Sequence, residues 1–187
     1  MSRAYKVTVK GSVQRVVHVE DGVCTELELL PILPPERTAE ILAQELGARG
    51  FTTGDGVARR VEKDGIQIEI DTRTGTVSVK AEATADIKVE HERSERIYEE
   101  VLEAGREAAQ RRVDSAAERE AVAAEERAKQ DVATKLEGRL GDLKRELDGV
   151  TNRVTAEALK EKARKLGEIE ELHEDTETGE LVIKVKL

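Results

Sequence analysis

Few side chains in this 187-residue chain carry ready nucleophilic or soft metal-binding chemistry: Cys24, His18, His91 and His173. His91 and His173 bracket a long stretch of helical composition. If that stretch folds back on itself, the two histidines meet at its foot, with Glu92, Glu174 or Asp175 beside them. Two imidazoles and a carboxylate suit a divalent metal. Histidines at helix ends are ordinarily just polar, so the expectation is no metal and no cofactor, with His91 and His173 as the residues to inspect. Cys24 has only His18 near it in sequence, and a lone cysteine is more often a small apolar residue than a nucleophile.

The remaining motif searches return little. No Gly-x-x-x-x-Gly-Lys-Ser/Thr and no Gly-x-Ser-x-Gly occurs. Gly50, Gly54 and Gly56 do not follow a strand and open a helix, as a dinucleotide fingerprint requires. The turns at Asp71 and Asp175 lack the ligand spacing of a calcium loop. The chain therefore reads as non-enzymatic, with a metal-dependent enzyme at the helical foot as a remote alternative.

The elements that would position these residues are legible from periodicity. Tyr5 to Val9 alternates, Gly11-Ser12 reads as a turn, and Val13 to Val19 resumes as a strand. Glu20-Asp21-Gly22 reads as a second turn before Val23 to Leu30, which makes the opening a β-meander. Pro31, Pro34 and Pro35 end it. Pro35 fits a first helical turn, Ala39, Leu42 and Leu46 share a face, and Gly47 is the expected stop. Phe51 should seal this helix onto the sheet. Val57 to Val61 is a short strand. Ile66, Ile68 and Ile70 alternate with polar residues and lead through Asp71-Thr72-Arg73-Thr74-Gly75 into Val77, Val79, Ala81 and Ala83. The pattern Asp-x-x-x-Gly before an alternating strand recurs at 175–179 ahead of Leu181, Ile183 and Val185, and because the match is short, convergence on a common hairpin turn explains it better than duplication does.

From 91 to 173 an apolar stripe runs at spacings of three and four. It is Ala-rich at Val101, Ala104, Ala108, Val113 and Ala117, then Leu-rich at Leu136, Leu140, Leu143 and Leu147. A second stripe follows from Val154 to Leu172. Gly138, Gly141 and Gly149 are the breakers between them, so the stretch is expected to form an antiparallel coiled-coil hairpin with its tip between Gly138 and Thr151. The fold class is then α+β, with a β-rich base at 1–90, a helical stalk at 91–173, and a strand at 174–187 that returns to the base sheet. Two partner-binding surfaces follow: the tip, at Gly138, Gly141, Gly149 and Thr151, and the exposed edge at Leu181, Ile183 and Val185.

Composition narrows the function. Charged residues make up 38% and aromatics 2%, which disfavours one large compact core. The net charge is -9 and no block is basic: residues 1–90 hold 15 Asp+Glu against 12 Lys+Arg. A nucleic-acid partner is disfavoured, because that affinity rests on clustered cations. No apolar run reaches a membrane-spanning length, and the single cysteine suits a reducing compartment, so a cytoplasmic location is expected.

One segment carries a family likeness. Between Leu42 and Val79 lie an amphipathic helix ending at Leu46-Gly47, the aromatic Phe51, a Gly-rich loop, Asp64-Gly65-Ile66 and the Asp71–Gly75 hairpin. This arrangement resembles the small α+β accessory proteins, of the domain-X type, in bacterial FtsH-type AAA+ ternary systems. The resemblance implies work beside an ATPase, in biological conflict. Two readings stand together. One is a self-associating assembly protein using the stalk as spacer or contact arm. The other is an adaptor or regulator of an AAA+ ATPase. Its partners are itself, an AAA+ ATPase or another protein.

Overall fold

The computed structural model describes residues 3–62, 65–175 and 180–186. Asp64 and the turn at 176–179, both singled out above, lie outside them. The fold is α+β. A five-stranded antiparallel sheet has the order β1-β5-β4-β3-β2, and a separate two-stranded sheet is β6-β7. The strands are β1 (Ala4–Glu26), β2 (Thr52–Gly54), β3 (Val57–Val61), β4 (Ile66–Asp71), β5 (Thr76–Tyr98), β6 (Glu168–Glu174) and β7 (Leu181–Lys186). The helices are α1 (Pro35–Ala48) and the 65-residue α2 (Leu102–Leu166). By contacts the chain divides into two units, 1–21 with 82–134, and 22–81 with 135–187.

The first unit is a two-stranded ribbon with a helix on one face. Thr8 Oγ1 meets Ser94 Oγ at 2.8 Å, Lys10 Nζ reaches Glu92 at 3.0 Å, and His18 Nδ1 reaches Thr84 Oγ1 at 3.0 Å. These pairs share one unbroken antiparallel register. The side chains between them point to α2. Val9, Ala109 and Val113 form one buried cluster, and Ile87, Val89, Ala117 and Ala121 another. The helical contributions fall at strict fours, 109, 113, 117 and 121; Val113 and Ala117 belong to the expected stripe, while Ala109 and Ala121 take the places given to its other members.

Here the expected meander is corrected. Gly11 and Gly22 sit within β1 instead of in turns. A Cβ on Gly11 would lie 2.7 Å from Asp114 Oδ1 and 2.8 Å from Val113 Cγ1. Glycine there admits the helix, a close approach rather than a reversal. A Cβ on Gly22 would lie 3.0 Å from the Val79 carbonyl oxygen across the ladder. The strand stays unbroken because β5 offers it an equally long partner.

The second unit carries the larger core. Ile66, Ile68, Ile70, Val77, Val79 and Ala81 alternate inward from β4 and β5, as the sequence indicates. Ile41, Leu42 and Leu46 of α1 and Phe51 are buried, as are Leu136, Leu143, Leu147, Val150, Val154 and Ala158 of α2. Pro35 opens α1 as expected, and the helix ends at Ala48, next to the expected glycine. Gly50, just beyond it, takes the left-handed conformation at φ 82°. Asp55 and Gly56 both have positive φ, 52° and 80°, the signature of a tight hairpin turn. At the β4–β5 turn Asp71 Oδ1 accepts the N–H groups of Arg73 and Thr74 at 2.8 and 2.9 Å.

Two expectations about the stalk are overturned. No hairpin forms, because α2 is continuous through Gly138, Gly141, Gly149 and Thr151. A methyl on any of these glycines would meet nothing within 4 Å. Isolated glycines cost a helix only about 1 kcal/mol each, and the buried row from Leu136 to Ala158 runs straight across them. The helix also starts at Leu102, while residues 91–98 belong to β5. Finally, β7 does not join the base sheet. It pairs with β6, which immediately precedes it in the chain. Gly167 makes this possible, since a Cβ there would collide with the Lys186 carbonyl oxygen.

Candidate interaction surfaces

The two histidines lie in different units. His91 lies on β5 in the first unit, with Nε2 2.7 Å from Glu120 Oε2. His173 lies exposed on β6 in the second, opposite Val182. Two of the carboxylates offered as co-ligands are engaged by cations. Glu92 takes Lys10, and Glu174 takes Lys160 at 2.6 Å and Arg153 at 3.1 Å. Among the described residues no group of three or more His, Cys, Asp or Glu gathers to hold a metal. Cys24 is exposed near the end of β1.

Sequence reasoning missed a four-residue ion cluster in the second unit. Arg60 on β3 donates from Nη1 and Nη2 to Glu146 of α2 at 2.6 and 2.9 Å. Arg139 of α2 donates to both oxygens of Glu62 at 2.6 and 2.8 Å. Cross-links at 3.0 Å (Arg60–Glu62) and 3.4 Å (Arg139–Glu146) close the ring. Arg60 also stacks on Phe51, 4.3 Å from the ring centroid, and donates to the Arg49 carbonyl oxygen. Its Nε is buried without a hydrogen-bond partner. Hydrogen bonds from Arg139 hold the Glu62 carboxyl below its ordinary pKa, and those from Arg60 do the same for Glu146. Each glutamate meets a guanidinium fork, so the cluster fastens α2 to β3 and leaves neither base nor acid free for proton transfer. The i,i+7 relation of Arg139 and Glu146 on one helix face was the available signal, but the strand partners are 77 and 86 residues distant.

A groove of about 620 Å3 lies between α1 and the β2–β3 hairpin. Ala39 and Ala43 line one wall and Val57 the other, with Glu36 and Glu40 on the rim. Arg37 holds Glu40 at 2.5 Å, and the Thr72 hydroxyl donates to the Gly56 carbonyl oxygen. The polar groups whose partners are identified there are thus tied up locally.

The C-terminal sheet is more open. Leu181, Ile183 and Val185 of β7 face Glu174, Leu172 and Ile169 of β6 and are half-buried. Leu172 and Val182 are each 46% exposed, and Leu166 at the end of α2 is 63% exposed. Glu174 anchors this sheet to Lys160 and Arg153 of α2, and those cations hold its carboxyl below the ordinary range. Neither strand has a second neighbour among the described residues.

A family model described as FtsH ternary system domain X5 matches residues 1–187. The chain belongs to this family. X5 is thus an accessory domain of an FtsH ternary system, as the helix-to-hairpin segment suggested, and the match extends over the stretches where no resemblance was legible. No curated protein and no solved structure shows significant similarity to the chain. No helix of the described X5 residues is long and apolar enough to cross a membrane.

Proposed function

We propose that this X5 domain is a non-enzymatic adaptor that contacts a protein partner of its FtsH-type system through the β6–β7 sheet. The observation that carries the reading is the openness of that sheet. A two-stranded sheet is marginal alone. Here it exposes Leu172 and Val182, and among the described residues β7 bonds only β6. An uncovered edge with alternating apolar side chains takes an added strand. Co-purification with the AAA+ ATPase of the same system tests this. A Leu172→Lys, Val182→Lys double variant should lose that association while keeping its circular dichroism. Undiminished association would sink the assignment of the surface.

A second reading is self-association, favoured by β1. It is a 23-residue edge strand of the five-stranded sheet. Light scattering over a range of concentrations checks it, with a mass above one chain as the expected result.

A further inference from the structure

We propose that β7 takes up an extended strand of the partner protein in which apolar residues alternate with acidic ones, laid antiparallel along the outer edge of β7. This rests on the reading that the β6–β7 sheet is the contact surface, and it names the chemistry of what binds there.

The ladder determines which backbone groups are on offer. Asp175 N–H donates to the Glu180 carbonyl oxygen at 2.9 Å, and the pairs His173–Val182 and Glu171–Lys184 follow at alternate steps of the same register. Facing pairs in an antiparallel ladder alternate between bonded and non-bonded, so Val182 and Lys184 direct their N–H and C=O groups to β6. The Lys186 carbonyl oxygen lies on that side too, against Gly167. Leu181, Ile183 and Val185 therefore direct theirs outward, where β7 has no neighbour among the described residues. The edge of β6 is the poorer one, because a register shift between Ile169 and Glu171 interrupts it, and bulges blunt an edge against further strands.

The two faces of β7 dictate what the added strand must carry. Leu181, Ile183 and Val185 are half-buried on the face that also carries Glu174, whose carboxylate meets Lys160 and Arg153 of α2. A strand beside them extends that face with apolar residues. Val182, Lys184 and Lys186 are exposed on the opposite face. Lys184 and Lys186 stand across the ladder from Glu171 and Glu168, yet neither ammonium forms an ion pair or hydrogen bond among the described residues. Two unpaired cations two residues apart, on a chain of net charge -9, mark this edge for carboxylates. Side chains opposite them on an added strand start only about 5 Å away on the same face, where opposite charges stabilise and like charges destabilise. The same rule disfavours a second copy of β7, since pairing centred on Lys184 or Val185 sets lysine against lysine. Read from its own N-terminus, the complementary segment runs acidic, apolar, acidic, apolar, β-branched, apolar.

A peptide of sequence Glu-Val-Glu-Ile-Thr-Val, flanked by Ser-Gly at each end, tests this by calorimetric titration into the full chain, beside a version with Lys at both Glu positions. The glutamate peptide should bind roughly tenfold or more tightly than the lysine peptide. It should also slow hydrogen exchange at the Leu181, Ile183 and Val185 amides, whose N–H groups gain acceptors. A Lys184→Glu, Lys186→Glu variant should reverse the preference. A Lys184→Gln, Lys186→Gln variant, which sets no like charge against β6, should abolish it. Equal affinity for the two peptides, binding that leaves those three amides unprotected, or binding of neither peptide would overturn the proposal. Co-purification with the ATPase judges the surface separately. If Lys184→Gln, Lys186→Gln retains the ATPase while Leu172→Lys, Val182→Lys loses it, the surface stands and the acidic chemistry falls. If both variants retain it, the surface falls as well.

Discussion

The two units use the same helix with different side chains. In the first unit α2 buries Ala109, Val113, Ala117 and Ala121 against two strands. In the second it buries Leu136, Leu143, Leu147, Val150 and Val154 in a core with α1 and several shorter strands. Alanine lets backbones approach closely but removes little apolar surface from water; each leucine removes several-fold more. The glycines within α2 or facing it along its length follow the same division. Gly11 and Gly105 of the first unit are where a Cβ would strike Asp114 and Val113, or Ile97. Gly138, Gly141 and Gly149 of the second lie on a surface where a Cβ meets nothing. One unit is built on proximity and the other on volume.

Core truncations should expose the difference most strongly. Leu147→Ala or Ile70→Ala should cost about 2–5 kcal/mol, read as a lower urea midpoint. Val113→Ala in the first unit should cost less, on the order of 1–2 kcal/mol. Equal losses would mean that the two cores are not differently filled. Replacing Arg60 by Met strands Glu146 without its fork and should cost about 1–3 kcal/mol. The Arg15→Met change in the first unit removes a more exposed bridge to Glu118 and should cost under about 1 kcal/mol.

Acid should also tell the units apart. Glu62, Glu146 and Glu174 have carboxyls held below their ordinary value of 4.5. A depressed folded-state pKa contributes stability that is fully present above the unfolded value and lost as pH falls through the folded one. Hydrogen exchange should therefore show amides of the second unit losing protection first between neutral pH and about pH 3. A Glu62→Gln, Glu146→Gln variant should show a flatter dependence. Simultaneous loss of protection in both units would remove the distinction. The smallest effect is expected at the helix glycines. Gly138→Ala, Gly141→Ala and Gly149→Ala should each stabilise by roughly 0.5–1 kcal/mol. Gly11→Ala and Gly105→Ala should destabilise, because the added methyl has no room.

What could be read in the sequence depended on the distance over which each signal acts. The α+β class, the α1 helix from Pro35, the Ile66–Asp71 strand and the Asp71–Gly75 turn are encoded within a few residues, and all are found. Glycine misled twice, in opposite ways. At Gly11 and Gly22 it looked like a turn, when its cause is a helix or strand brought near from far along the chain. At Gly138 to Gly149 it looked like a break, when the buried row on the opposite side holds the helix through it. The Arg60–Glu146 and Arg139–Glu62 pairs were invisible, since charged residues are everywhere in this sequence and only the fold selects which ones meet. The edge at Leu181, Ile183 and Val185, proposed here to bind a partner, was legible as a strand, but its mate in β6 was read as helix.

Both units are discontinuous in the chain. The first needs residues 1–21 together with 82–134, and the second needs 22–81 together with 135–187. During synthesis β1 leaves the ribosome long before β5 exists to pair with it. At about 5–20 residues per second, that interval lasts on the order of several seconds. Throughout it a 23-residue strand waits with both edges bare, and long-range pairing of this kind is intrinsically slow. The emerging chain is thus a natural client for a holding chaperone, and translation rate between Glu26 and Thr76 becomes a determinant of yield.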